Sequence, residues 1–184
     1  EVSRFEKRGQ KVATCRDVRR LLERSDIDAV SVATPNHWHA LATVWACQAG
    51  KDVCVEKPAS HNIWEGRKMV QAARKYGRVV QADLDMRSRC FNDRAFEYLH
   101  SGALGRILVV RGFCYKARTS IGKTDGRGHI PETVDYDLWC GPAEKLPIDR
   151  SELHYDWHWV WNTGNGELGN NGAHQLDQIL WMLR

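Results

Sequence analysis

Three short runs of small and β-branched apolar residues, at 27–33, 53–56 and 79–84, recur between stretches of helical periodicity, and this alternation constrains the fold more than any other feature of the chain. Each run is mostly apolar without strict alternation, the pattern expected of strands covered on both faces. Strands separated by helices must be joined by crossovers, so a parallel sheet with right-handed connections is expected. The intervening helices are read at 17–24, with Asp17 as N-cap, at 39–49, closed by Gly50, and at 63–76, closed by Gly77.

A further helix at 93–100 stops at Gly102, and the grammar then changes. A long strand is expected at 107–115, followed by a Gly-, Pro- and Asp-rich stretch from 122 to 149. The last helix is expected over 171–183, with Leu176, Ile179, Leu180 and Leu183 at helical spacing. These signals divide the chain into two partial domains, 1–103 and 104–184. One strand and one helix cannot close a second domain, and the first half begins inside a helix-strand unit, so the chain is read as the middle of a larger protein.

Composition narrows the classes. Lys plus Arg at 27 against Asp plus Glu at 23 leaves +4, spread along the 184 residues rather than gathered into a stripe, which does not favour nucleic acid. The apolar runs fall far short of the roughly 20 residues of a membrane span, and the first four residues show no signal-peptide pattern. A cytoplasmic protein is expected. The six cysteines are widely spaced without a metal-type pair, and Cys47 and Cys54 sit in apolar segments where a thiol packs as a small hydrophobe. Trp139-Cys140-Gly141-Pro142 reads as a turn, because Ala143 stands where a redox motif needs its second cysteine.

Chemistry is expected where the parallel strands end, since open α/β sheets bind ligands in the crevice beyond their C-terminal edges. Two such ends carry polar residues: Thr34-Pro35-Asn36 and Glu56-Lys57-Pro58. His37 and His39 are two apart and point in different directions, a poor metal pair. Gly164-Asn165-Gly166-Glu167-Leu168-Gly169 has the bare spacing of a dinucleotide fingerprint, and the segment 157–161 before it reads as short and extended, but no acidic partner and no second strand follow, so it is read as a flexible turn. Beyond it, Asn170 and His174 lie four apart and are expected to share a helix face, with Asp177 three further on as an orienting partner. A histidine so placed is a candidate general base.

With these residues in view, the chain resembles the glucose-fructose oxidoreductase and inositol dehydrogenase family, Gfo/Idh/MocA. The carriers are Asp28-Ala29-Val30 through His39, Ala49-Gly50-Lys51-Asp52-Val53 through Glu56-Lys57-Pro58, Leu104-Gly105-Arg106-Ile107, and Gly172 through Asp177. The resemblance implies a partial Rossmann parallel sheet, its first strands missing, followed by a partial C-terminal α+β domain with an open sheet for substrate and homo-oligomer contacts. It implies NAD or NADP as cofactor, contacted by Thr34, Pro35, Asn36, His39, Glu56, Lys57 and Pro58. It implies Lys57 and His174 as catalytic residues, and Lys57, Arg87, Asn170 and His174 around the substrate.

The implied reaction is hydride transfer from a secondary alcohol of a sugar or polyol to nicotinamide, with no metal, nucleic acid or membrane involved. Alternatives within the resemblance are a redox-neutral, NAD-dependent glycosidase-like activity and an inactive fragment. The glycine fingerprint and ribose-binding acid of the family would lie before Glu1, so the chain is read as truncated at both ends. Asn170 also stands where many members carry aspartate. An amide can orient a hydroxyl but cannot share negative charge with an imidazolium.

Overall fold

The computed structural model describes residues 5–9, 11–125 and 128–183. The N-terminal tetrapeptide read for a targeting signal lies outside them. Among the described residues, no helix is long and apolar enough to cross a membrane.

The three apolar runs form a parallel sheet in the order β1 (Ala29–Val32), β2 (Asp52–Glu56), β3 (Val80–Asp83). Register pairs Val32 with Val55 and Glu56 with Asp83, so the strands end nearly level and their following loops share one edge. Helix α1 (Val18–Leu22) precedes β1, α2 (Asn36–Gln48) crosses from β1 to β2, and α3 (Ile63–Tyr76) from β2 to β3. The Asp17 carboxylate caps α1 by accepting from the Arg19 amide. Asn62 caps α3 and Gly77 closes it in the left-handed conformation.

The core is the meeting of α2 with the sheet: Val32, Val53 and Val55 against Ala40, Ala42, Ala46 and Cys47, with Met69 and Ala72 from α3 and Leu22 from α1. Small residues on α2 let it approach the sheet closely. Because a second layer of chain covers its outer face, even its polar residues Asn36, His37, His39 and Thr43 are buried. Burying polar groups is tolerable only with partners, and the histidines' partners organise the site.

A 3₁₀ turn (Asp85–Ser88) leads to α4 (Cys90–His100). The expected strand at 107–115 does not form: no residue between 105 and 124 is in a ladder, although Phe113 and Tyr115 stack at 5.5 Å. A strand exists only through its hydrogen-bonded neighbours, and the described residues supply none beside this segment. Helix α5 (Tyr136–Cys140) ends at Gly141, where a φ of 49° and the Trp38 ring packed against its Cα leave no room for a Cβ. Residues Asp156–Trp159 form a 3₁₀ turn, so the start of the 157–161 segment read as extended is not a strand.

The last helix also differs from expectation. It begins with a π turn (Leu168–Gly172) and continues as α6 (Ala173–Met182), packed on α4 through Phe96 and Trp181, stacked at 3.9 Å.

Candidate active site

At the C-terminal edge of the sheet, β1 runs into Thr34-Pro35 and the first turn of α2, and β2 runs into Lys57 and a cis Lys57–Pro58 peptide. His39 joins these two ends. It is 1% exposed, with Nδ1 2.7 Å from the Pro58 carbonyl oxygen and Nε2 2.8 Å from that of Thr34. The expected cofactor contact by His39 is therefore corrected. Both ring nitrogens are spent on main-chain carbonyls, so its role is to hold the two strand-end loops at a set separation. Asn36 is likewise buried, and its amide donates to Asn165 Oδ1 at 2.9 Å, while Asn165 Nδ2 donates to the His61 carbonyl at 2.7 Å.

His37 turns outward from the sheet to the second half of the chain. Its Nε2 lies 2.9 Å from the Trp139 carbonyl oxygen and its Nδ1 3.3 Å from that of Thr163. Burial outweighs these carbonyls and lowers its pKa. Trp38 Nε1 donates to the Leu138 and Trp139 carbonyls at 3.1 and 3.0 Å. The Asn36-His37-Trp38 stretch is thus the seam between the sheet and the loops beyond it.

Lys57 and the His174 helix come together, as the sequence reading expects. Lys57 Nζ donates to both the main-chain carbonyl and Oδ1 of Asn170, at 2.6 and 2.9 Å. Gly169 makes this approach possible, because a Cβ there would meet Pro58 at 3.3 Å and Asn165 at 2.4 Å. Glu56 is half-buried, its Oε2 accepting from the Lys57 amide at 3.2 Å.

The partners expected on the last helix are different. The π turn adds a residue to the helical turn, and within it Asn170 meets Lys57 while His174, at the start of α6, has Asp85 rather than Asp177 as its neighbouring acid. Asp177 is taken by Arg87 in a two-pronged pair at 2.7 and 2.6 Å, which removes it as the orienting acid for His174. Arg87 is thereby tied to the helix rather than free over the substrate region, with its guanidinium 5.1 Å from the Trp181 ring. The acid nearest His174 is Asp85, whose Oδ1 lies 3.5 Å from Nδ1. That is an electrostatic contact rather than a hydrogen bond, and Nδ1 is buried without a hydrogen-bond partner. Asp85 is held ionised chiefly by Arg89, and to a lesser degree by His174 itself. Sequence reasoning missed Asp85 because it lies 89 positions from His174, outside any helical spacing.

Thr34 and Pro35 line, with Trp38, Ala42, Asp17 and Leu138, a largely apolar slot of about 330 Å³ at the end of β1. A slot of this size and polarity accepts a flat heteroaromatic ring with its sugar but not a whole dinucleotide. Its walls come from the end of β1, the start of α1 and the segment around α5, and their size and polarity fit the nicotinamide half of NAD(P).

The comparisons with known proteins agree with this geometry. Residues 3–84 match the model of an oxidoreductase family described as an NAD-binding Rossmann fold, and residues 98–184 match that family's C-terminal α/β domain. Levoglucosan dehydrogenase of Pseudarthrobacter phenanthrenivorans is 35% identical over 96 residues, 52% of this chain and 25% of that protein. An NAD-binding protein of Listeria innocua superposes with a TM-score of 0.62 at 19% identity, over 97% of this chain and 41% of that one, a likeness of fold. A 3-ketoreductase of Actinomadura kijaniata in complex with NADP matches with a TM-score of 0.50 at 28% identity, over 56% of this chain and 33% of that one. The chain spans about a quarter of the length of the curated relative.

Proposed function

The chain belongs to the Gfo/Idh/MocA oxidoreductase family, and from that premise we propose that the protein of which it forms part oxidises a secondary alcohol of a sugar or polyol with NAD or NADP. The observation that carries the reading is Lys57 at the end of β2, held by Asn170 on the same helix turn that leads to His174. The names of the relatives, a sugar dehydrogenase and an NADP-bound ketoreductase, support the substrate and cofactor classes.

Thr34 and Pro35 would hold the nicotinamide ring in the slot at the end of β1, and when bound the oxidised ring supplies the hydride acceptor. The chain's own residues do the rest. A lysine ammonium has three N–H donors. Asn170 takes two from Lys57, which leaves one for the substrate oxygen. That donor stabilises the negative charge that builds on the oxygen as its proton departs. The proton goes to the imidazole of His174, which has the Asp85 carboxylate 3.5 Å from Nδ1. With the cofactor bound, the alcohol would be left as a carbonyl, its proton held by His174.

The test is Lys57→Met in the full-length protein. Turnover is expected to fall by about 10²- to 10³-fold, the usual cost of losing one preorganised donor, while NAD(P) affinity stays close to wild type. Unchanged turnover would remove Lys57 from the chemistry. Sugar release without reduced nicotinamide would point instead to the redox-neutral reaction.

A further inference from the structure

Outside this site, the richest cluster of unexplained side chains surrounds a cavity of about 640 Å³ in the second half of the chain, lined by Arg118, Ser120, Glu152, Tyr155, Asp156 and Trp159 among others. Its members are organised rather than loosely exposed. The Arg118 guanidinium lies 4.8 Å over the Trp159 ring, donates from Nε to Glu167 Oε2 at 3.1 Å, and reaches the Tyr155 hydroxyl at 3.3 Å.

Tyr155 has a φ of 67°, the only non-glycine residue in the left-handed region among the described residues. Such a conformation is costly and persists where surrounding contacts over-determine it, often at binding sites. Here it turns the Tyr155 carbonyl onto His158, whose Nδ1–H donates to it at 2.5 Å while Trp157 stacks on the ring at 3.6 Å. Nε2 of His158 is left as an acceptor. Its pKa is lowered by burial, and also by the charges of Lys57 and Arg118, so these groups belong to one neighbourhood. A polar chain makes the same link: Glu167 pairs with Arg118 and accepts from Asn171, the neighbour of the Asn170 that holds Lys57.

We propose that this cavity is a subsite for an uncharged glycosyl ring attached to, or continuous with, the unit that reaches Lys57. The proposal rests on the sugar-oxidising reading above and names the part of the substrate that reading leaves open. A pyranose has an apolar C–H face and a rim of hydroxyls. The faces of Trp159 and Tyr155 suit the first. The spare N–H groups of Arg118 and the carboxylates of Asp156 and Glu152 suit the second, because planar forked groups serve adjacent hydroxyls. Charge sets the exclusion. Glu167 already compensates Arg118, the one cationic residue among the described lining residues, and Glu152 and Asp156 add two carboxylates, so a phosphate or carboxylate on the ring would meet like charge within the cavity. Sugar phosphates should therefore be rejected here.

Isothermal titration of this chain with maltose and with the methyl pyranosides of glucose, galactose, mannose and xylose tests the proposal, with glucose 6-phosphate as the charged probe. At least one neutral glycoside is expected to bind in the millimolar range or tighter, and glucose 6-phosphate to bind at least about tenfold more weakly, roughly 1.4 kcal/mol. Trp159→Ala should weaken the neutral ligand by about tenfold or more. Ser120→Trp, which fills the cavity from an exposed rim position, should do the same without disturbing the Arg118 network. In the full-length protein both substitutions should raise KM for the glycoside with kcat largely kept.

Binding that is indifferent to both substitutions, glucose 6-phosphate binding as tightly as the neutral sugars, or no glycoside binding at all would overturn the subsite. Glycoside binding that is sensitive to Trp159→Ala, in a full-length protein that reduces no NAD(P) with any of these sugars, would overturn the oxidoreductase reading and leave the subsite standing.

Discussion

The sheet half and the loop-rich half of this molecule are held together by different physics. In the first, main-chain pairing of β1 to β3 and close packing of small residues on α2 do most of the work. In the second, the residues between α4 and the π turn form no ladder. They are held by the Trp38 indole N–H and by histidines that reach main-chain carbonyls across the seam, with satellite burial of Cys140, Ile148 and Leu153. The site lies on the boundary. Its reactive amine belongs to the sheet half, and the residues that orient it belong to the other. Order in the second half is therefore a precondition of chemistry presented by the first.

This contrast can be broken by substitution. The largest effect is expected at Phe96, 4% exposed and stacked on Trp181. Phe96→Ala should cost about 3–5 kcal/mol in urea unfolding and loosen the helix that carries His174. If α6 kept wild-type amide-exchange protection, the α4–α6 contact would not be what seats it. His39→Ala should cost about 2–3 kcal/mol, because two buried carbonyls lose their partner at the sheet edge. A loss below 1 kcal/mol in the same measurement would mean that the strand-end loops need no clasp.

Asn62→Ala removes the cap of α3 beside the His61 contacts to the second half, and should cost about 1 kcal/mol in urea unfolding. No measurable loss would mean that the start of α3 is held by those contacts rather than by its cap.

The smallest effect is a pH dependence at the seam. The folded pKa of His37 lies below its ordinary value of 6.5, because burial disfavours the charged ring. The unfolded chain then binds the proton first as pH falls. Stability is complete above about pH 6.5 and declines below it, and His37→Gln should flatten that decline in denaturation curves taken between pH 7 and 5. An unchanged slope in the variant would assign the acid sensitivity to other groups.

Much of the sheet half was legible because its signals are local. Continuous apolar runs, an Asp17 cap, and glycines at 50 and 77 each dictate their own segment, and β1 to β3 follow with boundaries shifted by a residue or two. The strand expected at 107–115 was not, because apolar residues announce a wish for a partner without naming one. The site was legible in part. Lys57, Asn170 and the His174 helix were each visible as polar residues at element ends, and their assembly follows from level strand ends. The roles of Asp85, Asn165 and Arg118 carried no signal, since each acts through a contact made across tens of residues.

By itself the sequence determined the parallel order, the crossovers and the edge at which Lys57 emerges, because strand and helix periodicity and capping are written within a few residues. The tertiary structure alone decided which acid faces His174, that His39 is a clasp rather than a ligand contact, and that Asp177 is spent on Arg87. Those outcomes depend on a π turn that shifts side-chain direction and on distances between remote segments, and neither quantity has a local signature in the chain.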